Sequence, residues 1–224
     1  MDRHRVYNES DNSVIKGDKV MPKETFIKLP QEKKNTILNA AVKEFQERRV
    51  EDAIIANIIK TAKIPRGSFY QYFNDIYDLY EYIIGYIEDI KTDYFQGIFL
   101  SDHLPFLDRV RLLIDKAIDF ASQNKAFVFI GKRHSESVYV KYSIDLQKRM
   151  NDLKTTFDLW IDTDKERNLI RKEVDTRTLS HAAVTFFTQL VTEFYLYEKY
   201  TKNELKVKNE CLIDILKNGV KFHV

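Results

Sequence analysis

A scarcity of chain breakers constrains the fold of this sequence more than any other feature. The 224 residues contain only 6 glycines and 4 prolines, and no proline follows Pro105. Sandwiches and barrels need frequent turns rich in glycine and proline, so this pattern disfavours an all-β architecture. Hydrophobic residues make up 44% of the chain and charged residues 31%, a balance typical of water-soluble proteins with a packed core. We therefore expect an all-α fold.

Apolar residues recur three and four positions apart along the chain, which predicts about nine helices. The first is expected over residues 30–49, and the second over residues 52–62 with Asp52 as its N-terminal cap. A third helix should span residues 66–72, and a long fourth helix should begin near Asp75. Five further helices follow, separated by polar joints such as residues 163–165.

The first 22 residues are polar and carry no sustained helical period. We therefore expect a flexible N-terminal arm over residues 1–22. Its basic residues leave open a contact with the DNA minor groove, although charged tails are more often simply solvated. The rest of the chain should form two domains, residues 23–74 and residues 75–224.

The segment AIIANIIKTAKIPRGSFYQYF, residues 53–73, has the pattern of a helix-turn-helix. In that motif the second helix enters the DNA major groove while the first lies across the backbone, and apolar side chains fill the angle between them. The residues expected in this inner angle are Ile58, Ala62, Ile64 and Phe69. The residues that we expect to contact DNA are Arg66, Gly67, Ser68, Tyr70, Gln71 and Tyr72, with Lys63 and Lys33 beside them.

These residue types fit DNA chemistry. Arginine can form two hydrogen bonds with guanine, glutamine can do so with adenine, and hydroxyl groups bond phosphates. Glycine lets the backbone approach the duplex closely. Residues 1–73 hold 14 Lys and Arg against 10 Asp and Glu, a net charge of +4, while the remainder holds 22 against 24. The basic surplus therefore lies where phosphate neutralisation needs it.

Residues 29–80 resemble the DNA-binding domain of TetR/AcrR-type transcriptional regulators. The matching positions are Ala40, Ala41, Phe45, Ile58, Ala62, Ile64, the run Gly67–Phe73, Asp78 and Leu79. The resemblance implies a three-helix helix-turn-helix domain followed by a helical domain for ligand binding and dimerisation. It also implies a homodimeric, ligand-responsive regulator, most often a repressor, of a palindromic double-stranded DNA operator.

The chain departs from the family pattern at four positions. Ile59 replaces the usual alanine, and Lys63 replaces the glycine of the turn, where a positive φ is expected. Ala53 stands where a phosphate-binding threonine often begins the second helix, and Ile76 where a phosphate-binding lysine often lies. Losing such contacts lowers the affinity for DNA and makes that affinity less dependent on salt concentration. It does not change which bases are read. Lys33, Lys34 and Lys60 either compensate or are ordinary solvated side chains.

Aromatic residues are frequent in the second domain, where the family has its ligand pocket. The residues predicted to line a pocket are Tyr86, Phe95, Phe99, Phe120, Phe127, Tyr139, Phe157 and Trp160. Such a lining would suit a hydrophobic small molecule. The alternative for any one of these residues is that it only fills the core.

The last two helices carry wide apolar stripes that predict a four-helix dimer interface. The residues expected there are Ala182, Ala183, Phe186, Phe187, Leu190, Phe194, Leu212, Ile215 and Leu216. A dimer also fits the helix-turn-helix, because two recognition helices ~34 Å apart read successive major grooves.

The sequence argues against an enzyme. The five histidines have no metal-ligand spacing, and neither a glycine-rich phosphate loop nor a nucleophile motif is present, so we expect no catalytic residues, no metal and no cofactor. A helical adaptor of the same fold that binds a protein instead of specific DNA remains the alternative function.

Two further expectations concern the compartment. No apolar run approaches the ~20 residues that span a bilayer, and the first residues lack the apolar core of a secretory signal, so we expect a cytoplasmic protein without membrane contact. The single cysteine, Cys211, excludes an intramolecular disulfide, and its helical spacing from Val207 and Ile215 favours a small buried residue over a redox sensor.

Overall fold

The computed structural model describes residues 6–8, 13–16, 19–137, 144–197 and 200–219, and these residues are almost entirely helical. Ten helices are described: α1 Glu24–Ile27, α2 Gln31–Glu47, α3 Ile55–Ala62, α4 Arg66–Tyr72, α5 Ile76–Phe99, α6 Phe106–Gln123, α7 Lys125–Glu136, α8 Ile144–Glu166, α9 Thr176–Tyr197 and α10 Lys202–Asn218. The predicted all-α fold is therefore confirmed, with the short α1 as an addition. No helix in the described ranges is both long and apolar enough to cross a membrane.

The N-terminal segment forms strands that the sequence did not predict. Strands β1 Val6–Asn8, β2 Ser13–Lys16 and β3 Lys19–Met21 pair in order as an antiparallel sheet. Val6 pairs with Ile15, and Val14 pairs with Met21. The flexibility expected of residues 1–22 stays a prediction. Backbone pairing between neighbouring strands is not visible in a search for helical periodicity.

The chain divides into two compact units. One contains Met1–Thr92 and Ala126–Tyr142, and the other contains Asp93–Lys125 and Ser143–Val224. The division lies inside α5, and α7 belongs to the first unit, where its Ile130 is fully buried in the core. The domain boundary expected at residue 74 stays a prediction.

The first unit is built around the apolar stripe predicted for its first long helix. On α2, Ile37, Ala41 and Phe45 are completely buried, and Phe45 packs edge-on against Tyr80 of α5 at 5.0 Å between ring centroids. The predicted start at Pro30 is confirmed, since Pro30 directly precedes the helix. The long fourth helix is also confirmed, and Leu79, Ile83, Ile84 and Ile87 on its inner side are buried, whereas Ile90 is half-buried.

Asp52 does not cap the second helix of the motif. It lies in a short 3-10 turn, Val50–Asp52, and pairs with Arg49 at 2.9 Å, while α3 begins after Ile54. The backbone N–H of Ile54 instead donates to the carboxylate of Glu44 at 2.8 Å. An acceptor ten residues away in sequence therefore replaces the predicted local cap.

The second unit packs α6, α8, α9 and α10 around one apolar cluster that includes Phe106, Phe157 and Leu205. The predicted polar joint at residues 163–165 is wrong, because α8 continues to Glu166. Asp164 is buried there, and its carboxylate accepts a hydrogen bond from the backbone N–H of Phe106 at 2.6 Å. It therefore caps the N-terminus of α6, which explains a charged residue inside the core.

Candidate nucleic-acid interface

Helices α3 and α4 form a helix-turn-helix whose inner angle is filled as predicted. Ile58 and Phe69 are completely buried, and Ala62 and Ile64 are nearly so. These four residues join the same core as α2 and α5, so the pair is fixed to the rest of the first unit. The predicted range of the recognition helix, residues 66–72, is confirmed.

The turn between the two helices is a Schellman motif with Lys63 in the left-handed conformation, at φ 52° and ψ 42°. The N–H of Ile64 donates to the carbonyl of Ile59 at 3.2 Å, and the N–H of Lys63 donates to the carbonyl of Lys60 at 3.3 Å. The expectation of a positive φ at Lys63 is confirmed. A left-handed conformation costs a residue with a Cβ ~1 kcal/mol, and the side chain of Lys63 is exposed beside the start of α4.

The outer face of α4 carries most of the predicted DNA contacts. Arg66, Gly67 and Gln71 are exposed, Ser68 is half-buried and Tyr70 is 41% exposed. A Cβ added at Gly67 would meet no atom within 4 Å. Packing inside the protein therefore does not require glycine at this position, whereas the close approach of an outside partner would.

Tyr72 is not part of this outer face. It is only 5% exposed, and its ring packs edge-on against Phe26 of α1 at 5.9 Å between centroids. The prediction that Tyr72 is available to DNA is therefore wrong. The reason is α1, a helix that was not predicted from the sequence. It covers this side of the recognition helix.

The segment before α2 also completes the C-terminal end of α4. The Nζ of Lys23 donates to the carbonyl of Tyr70 at 2.8 Å, and the backbone N–H of Lys23 donates to the carbonyl of Tyr72 at 3.0 Å. The hydroxyl of Thr25 donates to the carbonyl of Gln71. The last carbonyl groups of a helix lack partners within it and carry partial negative charge, so a lysine there is favourable. Lys23 and Thr25 thus support a recognition helix of only seven residues.

The basic residues around the motif divide into paired and outward-facing ones. Arg49 pairs with Asp52, and the pKa of its guanidinium is raised by that hydrogen bond and by the carboxylate charge. Arg48 contacts Glu44 and Glu47 at 3.3 and 3.7 Å. The outward-facing ones are Lys33, Lys60, Lys63 and Arg66, all exposed. These four are the side chains best placed to reach phosphate oxygens.

The positions that depart from the family pattern are apolar in the structure as well. Ala53 is half-buried, and the N-cap position of α3 is occupied by Ile54, whose side chain is 47% exposed and supplies no cap. Ile76 is half-buried and packs against the core of the first unit. Neither Ala53 nor Ile76 provides a polar contact to a phosphate.

The residues predicted to line a ligand pocket lie in both units. In the first unit, Tyr86 and Phe127 are half-buried and contact each other edge-on at 6.4 Å. Tyr139 lies outside the described residues. The members in the second unit form ring pairs: Phe95 with Phe120 at 6.1 Å, Phe99 with Trp160 at 5.4 Å and Phe157 with Trp160 at 5.4 Å. Phe120, Phe157 and Trp160 are buried. This agrees with the alternative that these residues only fill the core.

The residues predicted for the dimer interface are only partly outward-facing. Ala183 and Leu190 are buried in the core of their own unit, so for them the prediction of an intermolecular contact is wrong. Ala182 and Ile215 are exposed. The half-buried members are Phe186, Phe187, Leu212 and Leu216, and the side chain of Phe194 lies outside the described part of the chain.

Cys211 is exposed, which contradicts its predicted burial. It lies four residues from Val207 and from Ile215, both also exposed, so the three form an outward apolar stripe on α10. The side of α10 that faces the protein consists of Leu205, Asn209 and Ile213. The amide of Asn209 donates to the carbonyl of Arg111 on α6 at 3.1 Å.

Residues 37–83 match the family model described as bacterial regulatory proteins of the tetR family. A comparison with curated proteins finds no significant match. Among solved structures, a TetR family transcriptional regulator from Chloroflexus aurantiacus J-10-FL aligns with a TM-score of 0.70 and 24% identity, covering 91% of this chain and 100% of that one.

Two further solved structures share the fold. FadR from Bacillus subtilis, in complex with stearoyl-CoA, gives a TM-score of 0.62 at 14% identity and covers 84% of this chain and 99% of its own. The fatty acid degradation regulator FadR from Bacillus halodurans gives 0.65 at 16% identity, with 88% and 100% covered. At these identities the similarity establishes the fold alone.

Proposed function

On the premise that residues 37–83 belong to the TetR family, whose members are DNA-binding regulators and not enzymes, we propose that this chain is a ligand-responsive repressor. It binds a palindromic operator as a homodimer and is released by a hydrophobic small molecule. One observation carries the proposal: the outer face of α4 is polar and exposed around a glycine that the protein's own packing does not require.

Each exposed residue of α4 has a role in this proposal. Arg66 and Gln71 read base edges, since their side chains can form paired hydrogen bonds with guanine and adenine. Ser68 and Tyr70 bond phosphate oxygens, and Gly67 lets the helix backbone lie close to the duplex. Lys33 and Lys63 neutralise phosphates, which strengthens binding to any sequence without selecting one.

The homodimer is proposed from the last two helices. The outward stripe Val207, Cys211 and Ile215 on α10 is apolar, and Ala182 of α9 is small enough for close helix approach. Pairing these faces across a twofold axis would bury side chains that a lone protomer leaves in water. A twofold dimer also presents two recognition helices, which a palindromic site of ~34 Å half-site spacing requires.

A hydrophobic ligand is proposed from the partly exposed aromatic residues Phe95 and Phe99 of the second unit. The FadR structure from Bacillus subtilis is a complex with stearoyl-CoA, which supports acyl-CoA esters as the first compounds to test. Release would be a population shift: a ligand that binds better to a dimer with wrongly spaced recognition helices lowers operator affinity by that difference in binding free energy.

The proposal is tested by fluorescence anisotropy with DNA taken from beside the chain's own gene. The parent should bind one such fragment more tightly than a scrambled fragment, and Arg66→Ala and Tyr70→Ala should each weaken binding by ~10-fold or more. Arg171→Ala is the matched control, because Arg171 is exposed in the second unit. Equal binding by both α4 variants and the parent would show that α4 is not the reading helix.

The alternative, a helical adaptor that binds a protein, is favoured by one observation. The exposed residue at the start of α3 is Ile54, where a hydroxyl would suit a phosphate better. An adaptor would show no difference between the natural fragment and the scrambled one at any salt concentration. Sequence-specific binding by the parent would exclude it.

A further inference from the structure

The N-terminus of α3 lacks a cap of its own. Ile54 occupies the cap position with φ −115° and ψ 111°, the extended geometry of an N-cap, but it has no side-chain oxygen. The first N–H groups of a helix have no partner within it. An uncapped start loosens the first turn, which in a helix-turn-helix lies across the DNA backbone.

Glu44 of α2 supplies the missing acceptor from a buried position. Its side chain is only 5% exposed, and its Oε1 accepts the N–H of Ile54 at 2.8 Å. The Nδ2 of Asn57, one turn into α3, donates to Oε2 at 3.1 Å and to Oε1 at 3.3 Å. Arg48 contributes a third partner at 3.3 Å. Removing a buried carboxylate that has three hydrogen-bond partners destabilises the protein, because the partners lose their acceptor. The carboxylate also fixes the positions of these partners.

The carboxylate also has the charge that this place requires. The N-terminus of a helix carries partial positive charge, so a negative side chain stabilises it. Because Glu44 belongs to α2, its bonds to α3 fix the position of one helix against the other, which a local cap would not do. The neighbouring Glu47 provides a comparison, since its side chain is exposed and its carboxylate lies 3.7 Å from the guanidinium of Arg48.

We propose that Glu44 is a positioning residue for DNA binding: it holds the first turn of α3 so that the backbone N–H groups there meet a phosphate. This inference rests on the proposed function. The contact concerns the DNA backbone, so losing it should weaken binding to every sequence and lower the salt dependence, while α4 continues to read the same bases.

The first experiment measures hydrogen exchange in the free protein. In Glu44→Leu, the peptide that covers α3 should exchange faster than in the parent, while peptides from α5 and α6 should be unchanged. Glu44→Gln keeps an acceptor oxygen for Ile54 and should protect α3 nearly as well as the parent. Glu47→Leu is the matched control and should have no effect on α3. Unchanged exchange of α3 in Glu44→Leu would overturn the proposal.

The second experiment measures operator and scrambled-DNA binding over a series of salt concentrations. Glu44→Leu should weaken both by about tenfold, which corresponds to ~1.4 kcal/mol. The slope of log affinity against log salt should fall by ~1, as for one lost phosphate contact. A loss caused only by partial unfolding would leave the slope unchanged, so an unchanged slope contradicts the proposal.

A rescue variant separates positioning from general stability. Ile54→Thr places a hydroxyl at the cap position, whose backbone already has the required geometry. The double variant Glu44→Leu with Ile54→Thr should recover most of the lost affinity and salt slope; no recovery in a folded double variant would refute the proposal. If the parent itself fails to distinguish operator from scrambled DNA, the proposed function fails, while the exchange experiment still reports on Glu44.

Discussion

Replacing Gly67 by alanine should stabilise the protein and weaken its DNA binding. Gly67 lies in the first turn of α4, where a new Cβ would meet no atom within 4 Å, and its φ is not positive. A helix that contains glycine is less stable than the same helix with alanine by ~0.5–1 kcal/mol. In a protein of this size, the gain should raise Tm by ~2–4 °C per kcal/mol.

The effect on DNA follows from the same geometry. The added methyl group stands between the exposed start of α4 and the duplex, and carbon atoms cannot approach much closer than ~3.5 Å. Moving the helix outward lengthens the hydrogen bonds of its neighbours beyond the ~3.2 Å at which they are effective. Losing one paired base contact costs ~1–3 kcal/mol, so operator affinity should fall by tenfold or more.

The assay combines thermal unfolding with operator anisotropy for Gly67→Ala and for a matched control. Gly131 of α7 is suitable, because it is helical, exposed and also free of atoms within 4 Å of an added Cβ. Gly131→Ala should raise Tm without changing DNA affinity. If Gly67→Ala binds operator as tightly as the parent, Gly67 does not face DNA, and the assignment of the outer face of α4 is refuted.

Three further results are expected. Lys63→Gly removes a lysine in the left-handed conformation and should raise the free energy of unfolding, measured by denaturation, by ~1 kcal/mol. In anisotropy, the same change should lower the slope of log affinity for DNA against log salt by ~1. Tyr72→Phe should leave operator affinity unchanged, because the ring is buried; a large loss would return Tyr72 to the interface. Ile215→Glu should convert the dimer to monomers in sedimentation, whereas Leu159→Glu, exposed on α8, should leave the dimer intact.

The recognition helix could be predicted from sequence because its signals are local. Pro65 fixes where α4 begins, and Phe69 and Phe73, four apart, mark its buried side. The left-handed turn at Lys63 follows from a helix that must end two residues before a proline. Such features depend on a few neighbouring residues and on the period of the helix.

Features that depend on distant partners could not be predicted. Tyr72 is buried by Phe26, and the start of α3 is capped by Glu44, and neither pairing leaves a pattern in the sequence around the residue concerned. Asp52 had the residue type of a cap and stood nearby, but it pairs with Arg49 instead. A cap identified by residue type alone is therefore uncertain wherever a second carboxylate can reach the same N–H group.

The last helix shows a different limit. Two stripes repeat every fourth residue on α10, one with Val207 and Ile215 and the other with Leu205 and Ile213. Spacing identifies both but does not say which faces the protein. The buried stripe includes the polar Asn209, which bonds to α6, and the exposed stripe includes Cys211. Residue type alone favoured the opposite arrangement.

The burial of Ile130 within the first unit bears on how the chain folds during synthesis. The core that holds the helix-turn-helix includes residues from before Thr92 and from after Ala126, so it stays incomplete until α7 has left the ribosome. Until then the cluster that contains Phe45, Leu79 and Ile83 lacks Ile130. Residues 93–125 form the loop whose closure entropy this core must overcome. A fragment ending at Thr92 should consequently be less stable than the same segment within the whole chain.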